Sequence, residues 1–323
     1  MDLKQISRPV AAEIEEFTKV YRSQIDSKVM LLETIVRYMT RRSGKRVRPM
    51  LVLLSAAACG KAGQRSYVGA TMVELLHTAA LVHDDVVDQA SERRGIASIN
   101  AVWKNKVSVL LGDYLLARGL LAAVDAGEFR FLQITSRAVQ RMSEGELLQI
   151  QKSRLLDIDE ETYFKIIGDK TASLIACSCE IGAVSATDDE QVQANLRDYG
   201  ELIGCAFQIR DDIFDYLGSG FTIGKPVGND LKQKKLTLPL IHSFANAPRS
   251  EAKAIMKIVK GKPTRDDVKR VARFVMDRGG IDYAQKRAQD LVDEAKSKLA
   301  GLPQSDARRA LEAFAEFTIE RSA

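Results

Sequence analysis

The longest stretch without proline constrains the fold most. No proline occurs between Pro49 and Pro226, a span of 176 residues in which Leu, Ala, Ile and Val recur at three- and four-residue spacing. Proline disrupts the interior of a helix, and apolar residues at this spacing are typical of one helix face, so the span predicts consecutive helices. No segment in it alternates convincingly as a strand would. Pro239, and Pro263 before Thr264, stand where further helices are expected to begin.

We therefore predict an all-α protein. Helices are expected near residues 4–24, 27–42, 50–59, 66–88, 100–124, 127–154, 160–184, 188–217, 231–246, 250–260, 264–278, 281–299 and 304–321. Thr187 with Glu190 has the pattern of a capping box before one of them. No linker, low-complexity tract or repeat divides the chain, so residues 1–323 are expected to form a single domain.

The composition is that of a globular protein that can bury a sizeable core, with 46% hydrophobic and 28% charged residues. The net charge of +5 is modest and spread along the chain, so it gives no reason to expect nucleic-acid binding. Three nearby lysines form what we interpret as a local basic patch; they are Lys232, Lys234 and Lys235.

Several features predict a cytoplasmic location. The four cysteines lie in apolar helical contexts without the paired spacing of a metal site, which is typical of buried thiols in a reducing compartment. The N-terminus carries mixed charge and lacks the apolar core of a signal peptide. Met50–Cys59, the longest apolar run, is too short to span a bilayer, so no transmembrane segment is expected.

Two short acidic runs have the same pattern, DDxxD. They are Asp84-Asp85-Val86-Val87-Asp88 and Asp211-Asp212-Ile213-Phe214-Asp215. Side chains four apart lie on the same face of a helix, so the first and last carboxylates of each run converge and need a cation between them. Carboxylates without Cys or His suit Mg²⁺, which binds one or two carboxylates together with substrate phosphates. The alternative is that each run is a solvated acidic helix face.

The two runs belong to two long predicted helices, which begin near Ser66 and Thr187. If these helices run side by side with their acidic ends together, six carboxylates surround the mouth of a cavity whose deeper walls are apolar. Such a cavity suits a molecule with a charged head and an apolar tail. The sequence therefore predicts a helical bundle around a central apolar cavity.

Basic residues near the acidic runs supply the positive charge that a polyanionic substrate requires. One group lies at a predicted helix start, where backbone donors also favour an anion. Arginine offers bidentate hydrogen bonds to phosphate, and lysine a compact charge. Each residue alone could equally be solvated surface. The residues are Lys45, Arg46 and Arg48 at the helix start, Arg93 and Arg94 after the first run, and Lys170 and Lys225 on either side of the second.

These motifs together resemble the trans-isoprenyl diphosphate synthases, in the long-chain branch that includes octaprenyl and decaprenyl diphosphate synthases. The resemblance covers nearly the whole chain. It rests on Gly44–Pro49 (GKRVRP), His77–Asp88 (HTAALVHDDVVD), Arg93–Gly95, Gly112–Tyr114, Lys170–Thr171, Phe207–Gln208 before the second acidic run, and Gly224–Lys225 with Asp230. It implies an all-α, isoprenoid-synthase-type bundle, a Mg²⁺ cofactor and a homodimer.

The resemblance also implies a role for each matching residue. Asp84, Asp88 and Asp211 would hold Mg²⁺ on the allylic diphosphate, supported by Asp85, Asp212 and Asp215. Arg93, Lys170 and Lys225 would bind that diphosphate, whereas Lys45, Arg48, His77 and Arg94 would bind isopentenyl diphosphate. The carbonyl groups of Lys170 and Thr171 and the side chain of Gln208 would face the allylic cation. A lone histidine is more often structural, but the motif around His77 favours the functional interpretation.

The implied reaction is repeated condensation of isopentenyl diphosphate onto an allylic diphosphate. Product length is expected to depend on Ala80, Ala79 and Leu76, which precede Asp84 by four, five and eight residues. Short-chain relatives carry bulky aromatic residues near this position. The small side chains here predict a long all-trans product, of the kind used for quinone side chains.

Two alternative functions remain open at this point. A terpene cyclase shares the ionisation step, but it typically carries an NSE-type second metal motif and does not need Lys45, Arg48 and His77. A non-catalytic regulatory subunit usually loses one acidic run, and both runs are complete here.

Overall fold

The computed structural model describes residues 2–40, 44–93, 95–217 and 228–320, and it confirms the all-α prediction. The two strands, β1 (Glu92–Arg93) and β2 (Ile96–Ala97), form one short antiparallel hairpin. The helices are α1 (Leu3–Ile6), α2 (Ala11–Ile25), α3 (Met30–Thr40), α4 (Val47–Cys59), α5 (Gln64–Val87), α6 (Ile99–Asp125), α7 (Phe129–Leu155), α8 (Glu160–Ile167), α9 (Ser173–Val184), α10 (Glu190–Leu217), α11 (Asn229–Lys232), α12 (Leu238–Ala245), α13 (Arg249–Lys260), α14 (Arg265–Asp277), α15 (Gly280–Lys298) and α16 (Asp306–Glu320).

The chain divides into two compact units. The first unit consists of Met1–Arg137, Ala176–Arg197 and Gly301–Ala313, and the second of Ala138–Ile175, Asp198–Ala300 and Phe314–Ala323. The first acidic run lies on α5 in the first unit, and the second lies on α10 in the second unit.

Helix α5 is the centre of the first unit, where it packs against α2, α4 and α6. Two glycines of α6 allow a close approach to α5. A Cβ added to Gly119 would lie 3.4 Å from the Leu75 Cβ, and one added to Gly112 would overlap the His83 ring at 2.1 Å. Met72 and Leu75 are fully buried at this contact. The burial of such side chains is the main stabilising contribution to this unit.

Helix α6 departs from the sequence analysis in two ways. Its backbone is non-helical at Lys104, so the helix contains a kink. By length and composition, α6 is also apolar enough to cross a membrane, whereas the sequence analysis identified Met50–Cys59 as the longest apolar run. Of its most apolar window, 39% is buried, and α6 contacts α5 through Gly112 and Gly119.

The second unit has its own apolar core. Helices α8, α10, α12, α14 and α15 contribute side chains to it, and α12 packs mainly on α15. Ile209 and Ile213 of α10 are fully buried in this core. They lie four residues apart on the helix that carries the second acidic run, so their burial fixes which face of α10 the carboxylates occupy.

Three predicted helices are interrupted. Residues 4–24 divide at Ser7, after which Arg8–Val10 forms a 3₁₀ turn that contains Pro9. Residues 160–184 contain a π-helical turn at Gly168–Ala172, called the π-turn below. Residues 231–246 divide into α11 and α12, because Pro239 suits the first turn of a new helix and Thr237 before it is extended.

Two local predictions were wrong. The β1–β2 hairpin lies in a span where no strand was expected, because strands of two residues leave no readable alternation. The cap of α10 is Asp189, whose Oδ1 accepts hydrogen bonds from the backbone N–H groups of Gln191 and Val192. Thr187 accepts from the Asp189 N–H instead. The helix start predicted at Thr264 is confirmed, and there Thr264 forms a capping box with Asp267.

Candidate active site

The three carboxylates of the first acidic run have different environments at the end of α5. Asp84 and Asp88 are exposed, whereas Asp85 is buried and accepts a hydrogen bond of 2.7 Å from the Arg93 Nε. Burial raises the pKa of Asp85, and Arg93 offsets only part of that rise. Asp84 and Asp88 thus face solvent, whereas Asp85 faces the protein interior.

The β1–β2 hairpin places Arg93 beside Asp85. Pairing of Arg93 with Ile96 turns the chain back immediately after α5, and the Tyr38 hydroxyl donates to the Ala97 carbonyl at 2.8 Å. Arg93 was predicted to bind diphosphate, and here its guanidinium is held by the buried carboxylate. Arg94 lies outside the described residues.

The cations before and within α4 meet the predicted histidine in the first unit. The Arg48 Nη1 lies 2.9 Å from the His77 Nε2, which brings together two residues predicted to bind the same substrate. Lys45 is exposed just before the helix. Between them, Arg46 adopts a left-handed backbone conformation with φ 48° and donates to the Thr18 hydroxyl at 2.9 Å.

In the second acidic run, Asp212 is buried and Asp211 and Asp215 are partly exposed. Asp212 accepts hydrogen bonds from the Tyr163 hydroxyl at 2.7 Å and the Gln208 amide at 2.8 Å. Burial, followed by the nearby negative charge of Asp230, raises the pKa of Asp212 to about 7. Asp212 thus holds the Gln208 side chain through this hydrogen bond, whereas the role expected from the sequence was support of the metal-binding aspartates.

Asp215 has a structural contact of its own. Its two carboxylate oxygens accept hydrogen bonds of 3.1 Å from the backbone N–H groups of Asn229 and Asp230, at the start of α11. The carboxylate therefore ties the end of α10 to the chain that follows residues 218–227. Lys225 lies within that segment, outside the described residues.

Lys170 and Thr171 lie together on the π-turn. The Thr171 hydroxyl donates to the Gln208 Oε1 at 3.1 Å, and Lys170 forms an ion pair with Glu146 of α7. Lys170, Thr171 and Gln208 line a cavity of about 200 Å³ in the second unit, together with Asp212. The structure thus brings together Lys170, Thr171 and Gln208, three residues predicted to act on the same substrate.

Sequence reasoning missed two residues that line the same cavity. Lys235, interpreted as part of a basic surface patch, lies there with its Nζ 3.8 Å from an Asp230 carboxylate oxygen. Tyr163 also lines the cavity and donates to Asp212. No spacing or charge pattern distinguishes Lys235 from Lys232 and Lys234, so only its position in the fold identifies it.

The three residues predicted to control product length differ in exposure. Ala80 is partly exposed, whereas Leu76 and Ala79 are buried at 5% and 3% exposure. Ala80 lies one helical turn before Asp84 on the same face of α5. A larger side chain at Ala80 would therefore project into open space more readily than one at Ala79.

Within the described ranges, no group of three or more His, Cys, Asp or Glu side chains is arranged to hold a metal ion. This agrees with the way Mg²⁺ is usually held, since one or two carboxylates suffice when substrate phosphates complete the coordination. Asp84 and Asp88 provide two hard oxygen donors in the first unit, and Asp211 of α10 provides one in the second unit. The donor chemistry of these residues fits the ion predicted from the sequence.

A model of the polyprenyl synthetase family matches residues 29–275. The chain belongs to the polyprenyl synthetase family. The octaprenyl diphosphate synthase of Escherichia coli strain K12 is 34% identical over 321 residues, which cover 99% of each chain. Heptaprenyl diphosphate synthase component 2 of Geobacillus stearothermophilus is 33% identical over 316 residues, 98% of this chain and 97% of that relative.

The structural comparison agrees with the sequence comparison. A polyprenyl synthase from Caulobacter crescentus CB15, solved as a complex with calcium and isoprenyl diphosphate, gives a TM-score of 0.91 at 35% identity. The alignment covers 100% of this chain and 98% of that one. Membership of the polyprenyl synthetase family confirms the predicted enzyme class and reaction: the protein is a prenyltransferase that condenses isopentenyl diphosphate onto an allylic diphosphate. The comparisons give no support to the terpene cyclase alternative.

Proposed function

We propose that this prenyltransferase makes a long-chain all-trans polyprenyl diphosphate in a Mg²⁺-dependent reaction. The observation that carries the product length is Ala80, a small, partly exposed residue one turn before Asp84. A tail that grows along α5 past this residue meets no aromatic side chain at the first turn. The octaprenyl product named for the Escherichia coli relative is of the same class.

Asp84, Asp88 and Asp211 would hold the metal, which neutralises charge on the allylic diphosphate when it is bound. The calcium in the Caulobacter crescentus complex supports a divalent cation in this family. The exposure of Asp84 and Asp88, in contrast to the burial of Asp85, supports the assignment within the first run.

The cationic side chains divide between the two substrates. Arg93, Lys170 and Lys225 bind the allylic diphosphate and stabilise the negative charge that develops as it departs. Lys45, Arg48, His77 and Arg94 bind isopentenyl diphosphate; the contact between Arg48 and His77 supports a shared ligand for that pair. The departing diphosphate then accepts the proton released in the condensation.

The π-turn and Gln208 face the allylic cation. A carbocation is stabilised by oxygen dipoles, and the Thr171 hydroxyl and Gln208 amide form such a group. The apolar walls exclude water, which would otherwise trap the cation as an alcohol. Residues 1–323 are proposed to act as one catalytic domain, because each of the two compact units carries one acidic run.

The protein is proposed to act as a cytoplasmic homodimer. Several apolar side chains of α6 and α7 are exposed, including Leu110 at 59% and Leu147 at 66%. Exposed apolar surface of this kind favours association with a second chain. Light scattering after size-exclusion chromatography tests this assembly. A monomer that becomes active only with a second, different subunit would instead match the component 2 designation of the Geobacillus relative.

The catalytic proposal is tested by incubating purified protein with Mg²⁺, an allylic diphosphate and labelled isopentenyl diphosphate, and then sizing the products. We expect label in long linear chains after phosphatase treatment. Release of a cyclic hydrocarbon without incorporation of label would contradict the proposal, as would full activity in the presence of excess EDTA.

A further inference from the structure

The π-turn is an unusual backbone for two proposed substrate-binding residues. The Ser173 N–H donates to the Gly168 carbonyl, five residues earlier, and the Ser173 hydroxyl donates to the Asp169 carbonyl at 2.5 Å. Single π-helical turns within α-helices are rare and frequently occur at functional sites. Lys170 and Thr171 lie at the centre of this turn, so their direction depends on what holds it.

Arg141 of α7 connects the π-turn to α10. Its Nε donates to the Asp169 Oδ1 at 2.7 Å, and its two terminal nitrogens donate to the two Glu201 carboxylate oxygens at 2.6 and 3.0 Å. Lys165 completes the group, because its Nζ donates to the other Asp169 oxygen at 2.9 Å. One guanidinium thus binds the turn and a neighbouring helix at the same time.

The charges in this group stabilise one another. Burial favours the neutral form of Asp169, which is only 7% exposed, but hydrogen bonds from Arg141 and Lys165 outweigh that effect and lower its pKa. The bidentate contact with Glu201 raises the pKa of Arg141. Asp169 and Arg141 are therefore both charged at neutral pH, and the bidentate contact of Arg141 with Glu201 holds direction as well as distance.

Two glycines bring the same helices against the π-turn. A Cβ on Gly145 of α7 would lie 2.7 Å from the Lys170 backbone nitrogen, and one on Gly204 of α10 would lie 2.6 Å from the Ala172 Cα. Gly145 is four residues after Arg141, and Gly204 is three residues after Glu201, so each helix presents a charged group and a glycine on one face. The turn is held from both sides by backbone contact and by the Arg141 ion pairs.

We propose that Arg141 is a positioning residue that holds the π-turn, and with it Lys170 and Thr171, in the direction required to bind the allylic diphosphate. This inference rests on the function proposed for those two residues. Arg141 itself contacts carboxylates and acts through them. Its removal takes away the ion-pair connection of Asp169 to α7 and α10, which is one of the contacts that fix the direction of the turn.

The test compares steady-state kinetics of Arg141→Met, Arg141→Lys and Glu201→Gln with the wild-type enzyme, and uses Arg137→Met, an exposed arginine one turn earlier on α7, as the matched control. We expect Arg141→Met and Glu201→Gln to raise the KM for the allylic diphosphate about 10-fold or more, since misplacement by about 1 Å can cost about 100-fold. The KM for isopentenyl diphosphate is expected to change less than about 2-fold. For Arg141→Lys, the KM for the allylic diphosphate should lie between the values of the wild type and Arg141→Met, because lysine retains the charge but not the bidentate contact.

A second pair of variants separates folding from positioning. Arg141→Met leaves the buried Asp169 carboxylate with only Lys165 as a cationic partner and can unfold the protein, so Arg141→Met combined with Asp169→Asn removes that charge while still lacking the connection to α7. Folded variants with an unchanged KM for the allylic diphosphate would overturn the inference. A lowered kcat with equal increases in the KM values for both substrates would also overturn it. Lys170→Met separates the proposed function of Lys170 from the positioning role of Arg141. If Lys170→Met leaves the KM for the allylic diphosphate unchanged, the proposed function of Lys170 is wrong. If Lys170→Met raises this KM and the Arg141 variants do not, only the role of Arg141 is wrong.

Discussion

Replacing Ala80 with phenylalanine tests where the growing chain lies. Ala80 precedes Asp84 by four residues, which corresponds to about 6 Å along α5 at about 1.5 Å per residue. From Asp84 back to Gln64 the helix offers about 30 Å, or room for about six isoprene units of about 5 Å each. A ring at Ala80 closes this path after about the first unit beyond the metal-binding carboxylates.

Ala80→Phe is therefore expected to shift the main product from a long chain to a short one whose tail ends near the added ring. The rate of the first condensation should be retained, because Asp84 and Asp88 keep their positions. The assay is incubation with labelled isopentenyl diphosphate, followed by phosphatase treatment and reversed-phase separation of the alcohols.

Thr78→Phe is the matched control, since it adds a ring to the opposite face of α5. Thr78 lines a cavity of about 90 Å³ in the first unit, and because Asp85 and Arg93 also line this cavity, the quantity compared is product length and not rate. This variant should keep the wild-type product distribution. An unchanged distribution from a folded, active Ala80→Phe enzyme would refute the placement of the chain along α5.

Three further predictions follow from the same structure. Asp84→Asn should lower kcat by about 100-fold or more at saturating Mg²⁺, and a near-normal rate would contradict the metal assignment. Gly204→Ala should lower the free energy of unfolding by about 1–3 kcal/mol, because its Cβ would overlap Ala172, whereas Gly301→Ala, with no atom within 4 Å, should change it little in urea titrations. The lowered pKa of Asp169 stabilises the folded state at pH values above its unfolded pKa of about 4. This stability is lost as the pH falls through the lower pKa of the folded state. Asp169→Asn should therefore abolish this part of the pH dependence of Tm.

The helices and most of the site could be predicted because their signals are local. Apolar residues at helical spacing identified α5 and α10, and the DDxxD pattern placed two carboxylates on one face of each. Spacing alone could not show that Asp85 turns inward to Arg93, since that contact depends on a hairpin of two-residue strands.

The π-turn and its supports could not be read from the sequence. Arg141, Asp169 and Glu201 are far apart along the chain and lie in no shared motif, so only the packing of three elements brings their charges together. The π-turn itself has no distinctive composition, because it differs from the flanking α-helices in hydrogen-bond spacing rather than in residue type. Lys235 could not be predicted either, because only its position in the fold distinguishes it from Lys232 and Lys234.

The π-turn also affects the alignment of this chain with its relatives. A π-turn contains one residue more than an α-helical turn, so the residues after it are rotated by about 100° relative to a regular helix. Loss of a single residue between Gly168 and Ala172 would restore regular winding and leave the apolar side chains that follow, including Leu174 and Ile175, on their present faces, but it would redirect the residues within the turn. The number of residues in this segment is therefore constrained as strongly as their identities, and a gap in an alignment here would mark a change in the architecture of the site.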